Sequence, residues 1–182
     1  MATINIENVV AKTTFGPGFD MARIAAKVEG VDYDPEKFPG FMWNPGGSKI
    51  AVLVLPNGRA ISTGADSIAV AEESLNTLHG LLLDLGFISK ASIEIKVENI
   101  VASFDLKTAV NLRAAKVSLS KMDPKYSPEE FPGLITKSGK PPQEVLLFES
   151  GKIISTGGRS IEAVSEVLLD IESSLRASGA IV

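Results

Sequence analysis

The chain has 182 residues, 45% of them hydrophobic and 22% charged, with a formal net charge of −4. This apolar content supports a folded core, and the length suits one domain or two small halves that share a core. No run approaches the roughly 18 apolar residues of a membrane span, and Met1–Asn8 lacks the basic-then-apolar pattern of a leader. The absence of cysteine excludes disulfides, thiolate metal sites and a cysteine nucleophile, and it fits a reducing cytoplasm. No glycine-rich phosphate loop, metal-ligand cluster or nucleophile–base pair is visible, so neither an enzyme nor a cofactor is expected.

The first element is an alternating strand, Ile4 to Ala11. A short helix follows, with Asp20 as its N-cap, then a Pro-rich turn from Tyr33 to Gly40. Short strands are predicted near Phe41 to Trp43 and from Ile50 to Leu55. The Gly58 turn is hairpin-like and leads into a strand ending at Thr63. A long helix opens at Ser67 and stops at Gly86, with Ile68, Ala71, Leu75, Leu78 and Leu82 as its apolar stripe.

The same order then recurs. A strand runs from Ile93 to Ala102, Asn111 caps a short helix, and strands follow at Leu134 to Thr136 and Glu144 to Phe148. The Gly151 turn leads into a strand ending at Thr156. The last helix opens at Ser160, stops at Gly179, and carries Ile161, Val164, Leu168, Ile171 and Leu175. Phe38 and Phe131 are 93 residues apart, as are Thr63 and Thr156, whereas Asn8 and Asn99 are 91 apart. The second copy therefore carries about two extra residues, expected around Ser118 to Lys125. Matched blocks in one order along the whole chain establish an internal repeat, with copies at 1–91 and 92–182 forming one intertwined unit. His79 pairs with Glu172 across the repeat, which predicts a solvated helix position for it, since Glu is rarely buried.

One long helix with one stripe per copy implies helices on a single face of an antiparallel sheet, with the other face uncovered. Alternation is compatible with burying either face. It groups Leu53 with Leu55, Leu146 with Phe148, Ile61 with Thr63, Ile154 with Thr156, Asn8 with Val10, and Asn99 with Val101. Asn and Thr among these residues argue for an exposed face, because polar groups in a dry core need partners. An apolar face with a few hydrogen-bonding groups matches the DNA minor groove, whose A·T pairs offer acceptors only and whose steps apolar side chains can wedge open. Charge alone does not predict this: residues 1–91 hold 7 Lys+Arg against 10 Asp+Glu, and residues 92–182 hold 11 against 12.

The paired motifs IENVV/VENIV, PEKFPG/PEEFPG and NGRAISTG/SGKIISTG resemble the core of the TATA-box-binding protein family, most closely its archaeal form, over residues 4 to 179. The resemblance implies an α+β fold in which two pseudo-symmetric repeats form a curved, ten-stranded antiparallel sheet (a saddle) with helices on its convex face. It implies wedge residues at Phe38, Leu55, Phe131 and Phe148, with Leu55 standing where phenylalanine is usual. The implied minor-groove contacts are Asn8, Val10, Leu53, Ile61 and Thr63, and in the second copy Asn99, Val101, Leu146, Ile154 and Thr156. Lys37, Lys49, Arg59, Lys137 and Lys152 fall at phosphate-contacting positions, while Asn44 and Pro142 replace arginines. Gly46-Gly47 and Ser138 to Pro142 depart from the family as loop drift.

By the same resemblance, Glu129 matches an acidic contact for transcription factor B, with Ser127 and Glu130 departing from the pattern beside it. The implied function is a general transcription initiation factor that binds and bends TATA-box promoter DNA and recruits transcription factor B and RNA polymerase. It would act as a monomer on double-stranded DNA, with a homodimer as the alternative when free, in the cytoplasm at the nucleoid. Two other functions compete. A divergent paralogue would act mainly through protein partners. An accessory domain of a nuclease or glycosylase would carry a further catalytic domain, and none is expected within these 182 residues.

Overall fold

The computed structural model describes residues 3–181. Helices begin where a side chain can accept the free amides of a first turn. Asp20 accepts from the Arg23 amide and opens α1 (Met21–Lys27). Ser67 accepts from the Val70 amide and opens α2 (Ile68–Asp84). In the second copy Asn111 and Ser160 open α3 (Leu112–Ser118) and α4 (Ile161–Ser178) in the same way. The long helices stop at the expected glycines: the Phe87 amide reaches the Leu82 carbonyl across Gly86, and the Ala180 amide reaches that of Leu175 across Gly179.

The first copy contributes β1 (Ile4–Thr14), β2 (Val31–Asp32), β3 (Phe41–Trp43), β4 (Ala51–Val54) and β5 (Arg59–Ala65). The second contributes β6 (Lys96–Asp105), β7 (Leu134–Ser138), β8 (Gln143–Leu147) and β9 (Lys152–Gly158). All pair into one open antiparallel sheet in the order β2-β3-β4-β5-β1-β6-β9-β8-β7. The sheet has nine strands and not the expected ten. The missing strand is the counterpart of β2, reduced in the second copy to a single bridge between Lys125 and Ile135. The reason lies just before it. The extra residues of the second copy fall in a 3-10 turn at Ser120–Met122, which has no counterpart before β2, whereas the left-handed residue that follows is common to both copies (Gly30 and Asp123). The chain divides into two compact units, Asn8–Glu98 and Met1–Glu7 with Asn99–Val182.

Within each unit one sheet face is dry. In the first, Phe41, Trp43, Val52, Val54, Ala60 and Ser62 are buried, and α2 packs on β5 through Ala71, Leu75, Leu78 and Leu82. In the second, Leu134, Val145, Leu147, Ile153 and Ser155 are buried, and α4 packs on β9 through Val164, Leu168, Ile171 and Leu175. The stripe is shorter than its sequence pattern. Ile68 and Ile161 occupy the first helical position, where the side chain has no turn beneath it, and neither is buried. Polar groups on the dry face pair as burial requires: Ser62 with Ser74, and Ser155 with Gln143.

His79 is not solvated. Its side chain is buried, its Nε2 lies 2.7 Å from the Lys90 carbonyl, and its ring is 5.9 Å from that of Phe15. The segment that covers it is the connection between the copies, so comparison with Glu172 could not reveal its burial.

Candidate nucleic-acid interface

The uncovered face is built the same way in both units, beginning at a β-bulge. In the first unit Val9 pairs with Ala65, but Ala11 pairs with Ser62, so Thr63 and Gly64 together oppose Val10. Gly64 has φ +92°, and a Cβ there would lie 2.1 Å from the Lys49 carbonyl oxygen. Only glycine fits. The bulge frees the Gly64 amide to donate to Asn8 Oδ1 at 2.8 Å, and Asn8 Nδ2 donates to Thr63 Oγ1 at 3.3 Å.

The second unit repeats each contact. Ile100 pairs with Gly158 and Ala102 with Ser155, which leaves Thr156 and Gly157 opposite Val101. The Gly157 amide donates to Asn99 Oδ1 at 2.6 Å, and Asn99 Nδ2 donates to Thr156 Oγ1 at 3.2 Å. A backbone N–H can only donate, so it fixes each asparagine oxygen inward; each Nδ2 keeps one proton to donate outward, and the Thr63 hydroxyl is free to donate beside it, whereas the Thr156 hydroxyl donates to Asn99 Oδ1 at 3.5 Å. Each unit thus presents an Asn–Thr pair with an outward donor on an apolar face.

Around each Asn–Thr pair the apolar residues form cross-strand rows. Met42, Leu53 and Ile61 are paired across β3, β4 and β5; Ile135, Leu146 and Ile154 are paired across β7, β8 and β9. None of the minor-groove or wedge residues named from the sequence is buried. Alternation had grouped them correctly, and the face they share is the one away from the helices.

The turn before each row folds an aromatic ring back over glycine. In the second unit Phe131 and Phe148 meet edge to face, with ring centroids 5.9 Å apart. A Cβ on Gly133 would lie 2.8 Å from the Phe131 ring and 3.1 Å from that of Phe148, so this glycine makes room for the pair. In the first unit Phe38 folds over Gly40 in the same way, 41% exposed, but its neighbour at the Phe148 position is Leu55. No aromatic pair forms there among the described residues. The glycines of both motifs, together with Met42 and Ile135, were not singled out from the sequence. Their recurrence 93 residues apart was the signal that could have found them.

The cations are less orderly. Lys37, Lys49, Arg59, Lys137 and Lys152 are all exposed, and Lys37 lies 3.5 Å from Asp34. Asn44 does not stand in for an arginine: its amide donates to the carbonyls of Ser48 and Ile50 and closes the β3–β4 connection. On β8, Glu144 sits between Lys137 and Thr156 on the open face, where the first unit has Ala51 opposite Thr63. Near Lys152, the Lys107 backbone amide and then its side chain hold the Asp105 carboxyl below its ordinary value. Ser127, Glu129 and Glu130 are exposed on the turn before Phe131.

A duplicated α+β sheet with one helix-covered face and one open face of paired Asn–Thr donors is the architecture of the TATA-binding fold. The family model described as "Transcription factor TFIID (or TATA-binding protein, TBP)" matches residues 3–85 and 94–177, and the chain belongs to this family, in its archaeal type. The TATA-box-binding protein of Methanothrix thermoacetophila is 40% identical over 166 residues, 91% of either chain. That of Natronomonas pharaonis is 41% identical over 177 residues, 97% of this chain and 95% of the relative. The structure of Methanococcus jannaschii TBP superposes with a TM-score of 0.83 at 34% identity, covering 96% of this chain and 98% of that one.

Proposed function

We propose that the protein is a general transcription initiation factor that binds TATA-box promoter DNA in the minor groove and bends it. The duplicated Asn–Thr unit on an open apolar face supports this most strongly. Its outward donors suit the acceptor-only edge of A·T pairs, and a guanine N2 amino group would meet them as a clash of donors. Phe131 and Phe148 at one end, and Phe38 with Leu55 at the other, are the apolar wedges that would unstack base steps and kink the duplex. Lys37, Lys49, Arg59, Lys137 and Lys152 would hold the backbone. The exposed turn with Glu129 would receive transcription factor B, which brings RNA polymerase. The protein acts as a monomer on double-stranded DNA, at the nucleoid.

Titrating a TATA duplex and a G·C-substituted duplex at two salt concentrations tests this. Selective binding to the TATA duplex at both concentrations is expected, and equal binding to the two duplexes at low salt would refute it. A second function is favoured by Leu55, by Asn44 being engaged in its own turn, and by Glu144 on the open face. A paralogue that acts mainly through protein partners would show weak TATA binding in that titration while retaining transcription factor B.

A further inference from the structure

At the margin of the open face, where Lys12 pairs with Ile61 and Thr14 with Arg59, one hollow of about 310 Å3 in the first unit gathers Lys12, Arg59, Lys90 and Lys96 around Thr14. Two carboxylates oppose these four cations: Glu98 pairs with Lys12, and Glu94 lies 3.9 Å from Lys96 with both side chains well exposed. Lys90 is anchored, its Nζ donating to the Thr14 carbonyl at 3.2 Å. The Arg59 guanidinium has no ion-pair partner among the described residues. The second unit differs at the matching positions. At the positions of Lys12 and Thr14 it carries Ser103 and Asp105, and Asp105 already binds Lys107.

We propose that this hollow holds one backbone phosphate of the DNA, contacted by the first compact unit (Asn8–Glu98) alone through Lys12, Lys90 and, from the start of β6, Lys96. The proposal rests on the DNA-binding function above. Three features favour a phosphate. The hollow continues from Arg59, already placed on the backbone. Its charge remains positive after both carboxylates are counted. Ammonium groups gathered at one small hollow suit a compact, monoanionic phosphodiester better than an extended acidic peptide. A grip present on one unit only would orient a nearly symmetric protein on DNA.

The test is the salt dependence of binding to a TATA duplex by fluorescence anisotropy, for the full chain and for Lys90→Gln/Lys96→Gln. Losing one phosphate contact makes the slope of log K against log salt shallower by about 0.9. The same several-fold affinity loss is expected on a non-TATA duplex. Lys116→Gln/Lys121→Gln, which removes the same charge elsewhere, is expected to leave the slope unchanged. Because Lys90 also anchors Thr14, Lys96→Gln alone serves as the variant that spares folding, and it is expected to shift the slope in the same direction. Duplexes carrying a single methylphosphonate locate the phosphate: at one position the loss seen with the unaltered protein vanishes in the variant. An unchanged slope for both variants overturns the proposal, as does an equal change in the control, which would point to net charge alone. If the unaltered protein fails to prefer TATA, it is the function that fails, and the slopes on the non-TATA duplex still decide the hollow.

Discussion

The two copies share a scaffold to within single hydrogen bonds but differ in what they offer a ligand. Bulge, asparagine, threonine and glycine recur in both, and so do the helix caps and four of the five stripe positions that fill each core. At the wedges the second copy has two facing phenylalanines where the first has Phe38 and Leu55. On the open sheet the second copy has Glu144 where the first has Ala51, and at the margin of that face the first unit has a basic hollow where the second has Asp105 and Lys107. Duplication has been held where a change would unfold the chain and relaxed where it changes only the grip. The expected outcome is a protein that distinguishes the two ends of its site.

The sharpest way to break the scaffold symmetry is at the bulge. Gly64→Ala forces a Cβ against the Lys49 carbonyl, whereas at Gly157 the nearest backbone oxygen, that of Pro142, would be 3.3 Å away. Both variants pay the left-handed conformation, of order 1–3 kcal/mol, and Gly64→Ala adds a backbone collision. Urea denaturation should therefore rank Gly64→Ala well below Gly157→Ala in stability. Equal losses would mean that the two bulges are not constrained as described.

The wedges come next. Phe148→Ala should weaken TATA binding by about tenfold or more, roughly 1.4 kcal/mol, and reduce bending by energy transfer between duplex ends. Leu55→Ala should have a smaller effect, and Leu55→Phe should sharpen the bend by recreating the edge-to-face pair, worth about 0.5–1.5 kcal/mol. A weaker complex with Leu55→Phe would mean that leucine suits a different base step. At the third level, Glu144→Ala removes a carboxylate from a face that would meet phosphates and acceptors. It should strengthen binding by about 1 kcal/mol, most at low salt. The smallest effect belongs to Asp105. Its folded value lies below the unfolded value of about 3.9, so its contribution to stability is present above that pH and is lost as pH falls through the folded value. Asp105→Asn should flatten that acid limb slightly and leave neutral stability nearly unchanged.

Much of the fold was legible because it rests on local chemistry. Asp20, Ser67, Asn111 and Ser160 cap helices wherever they precede an apolar stripe, and the repeat exposed the strand order twice over. What failed to show was long-range. His79 is buried by a segment that only the tertiary fold brings to it. The tenth strand is lost to a turn whose backbone conformation no periodicity encodes. The open face could be grouped by alternation, but only the buried partners of Val52, Val54, Val145 and Leu147 decide which side is dry. The bulge that orients Asn8 and Asn99 depends on a glycine whose role appears only once its neighbour's carbonyl is in place.

The most direct test of the central claim, that the open face reads the minor groove, is binding to a duplex in which each A·T pair of the TATA element is replaced by I·C. This substitution alters the major groove and leaves the minor-groove acceptors unobstructed, whereas G·C places an amino group among them. Measured by anisotropy beside the TATA and G·C duplexes, I·C DNA should bind nearly as tightly as TATA and far more tightly than G·C. Loss of binding to I·C equal to that for G·C would contradict the account.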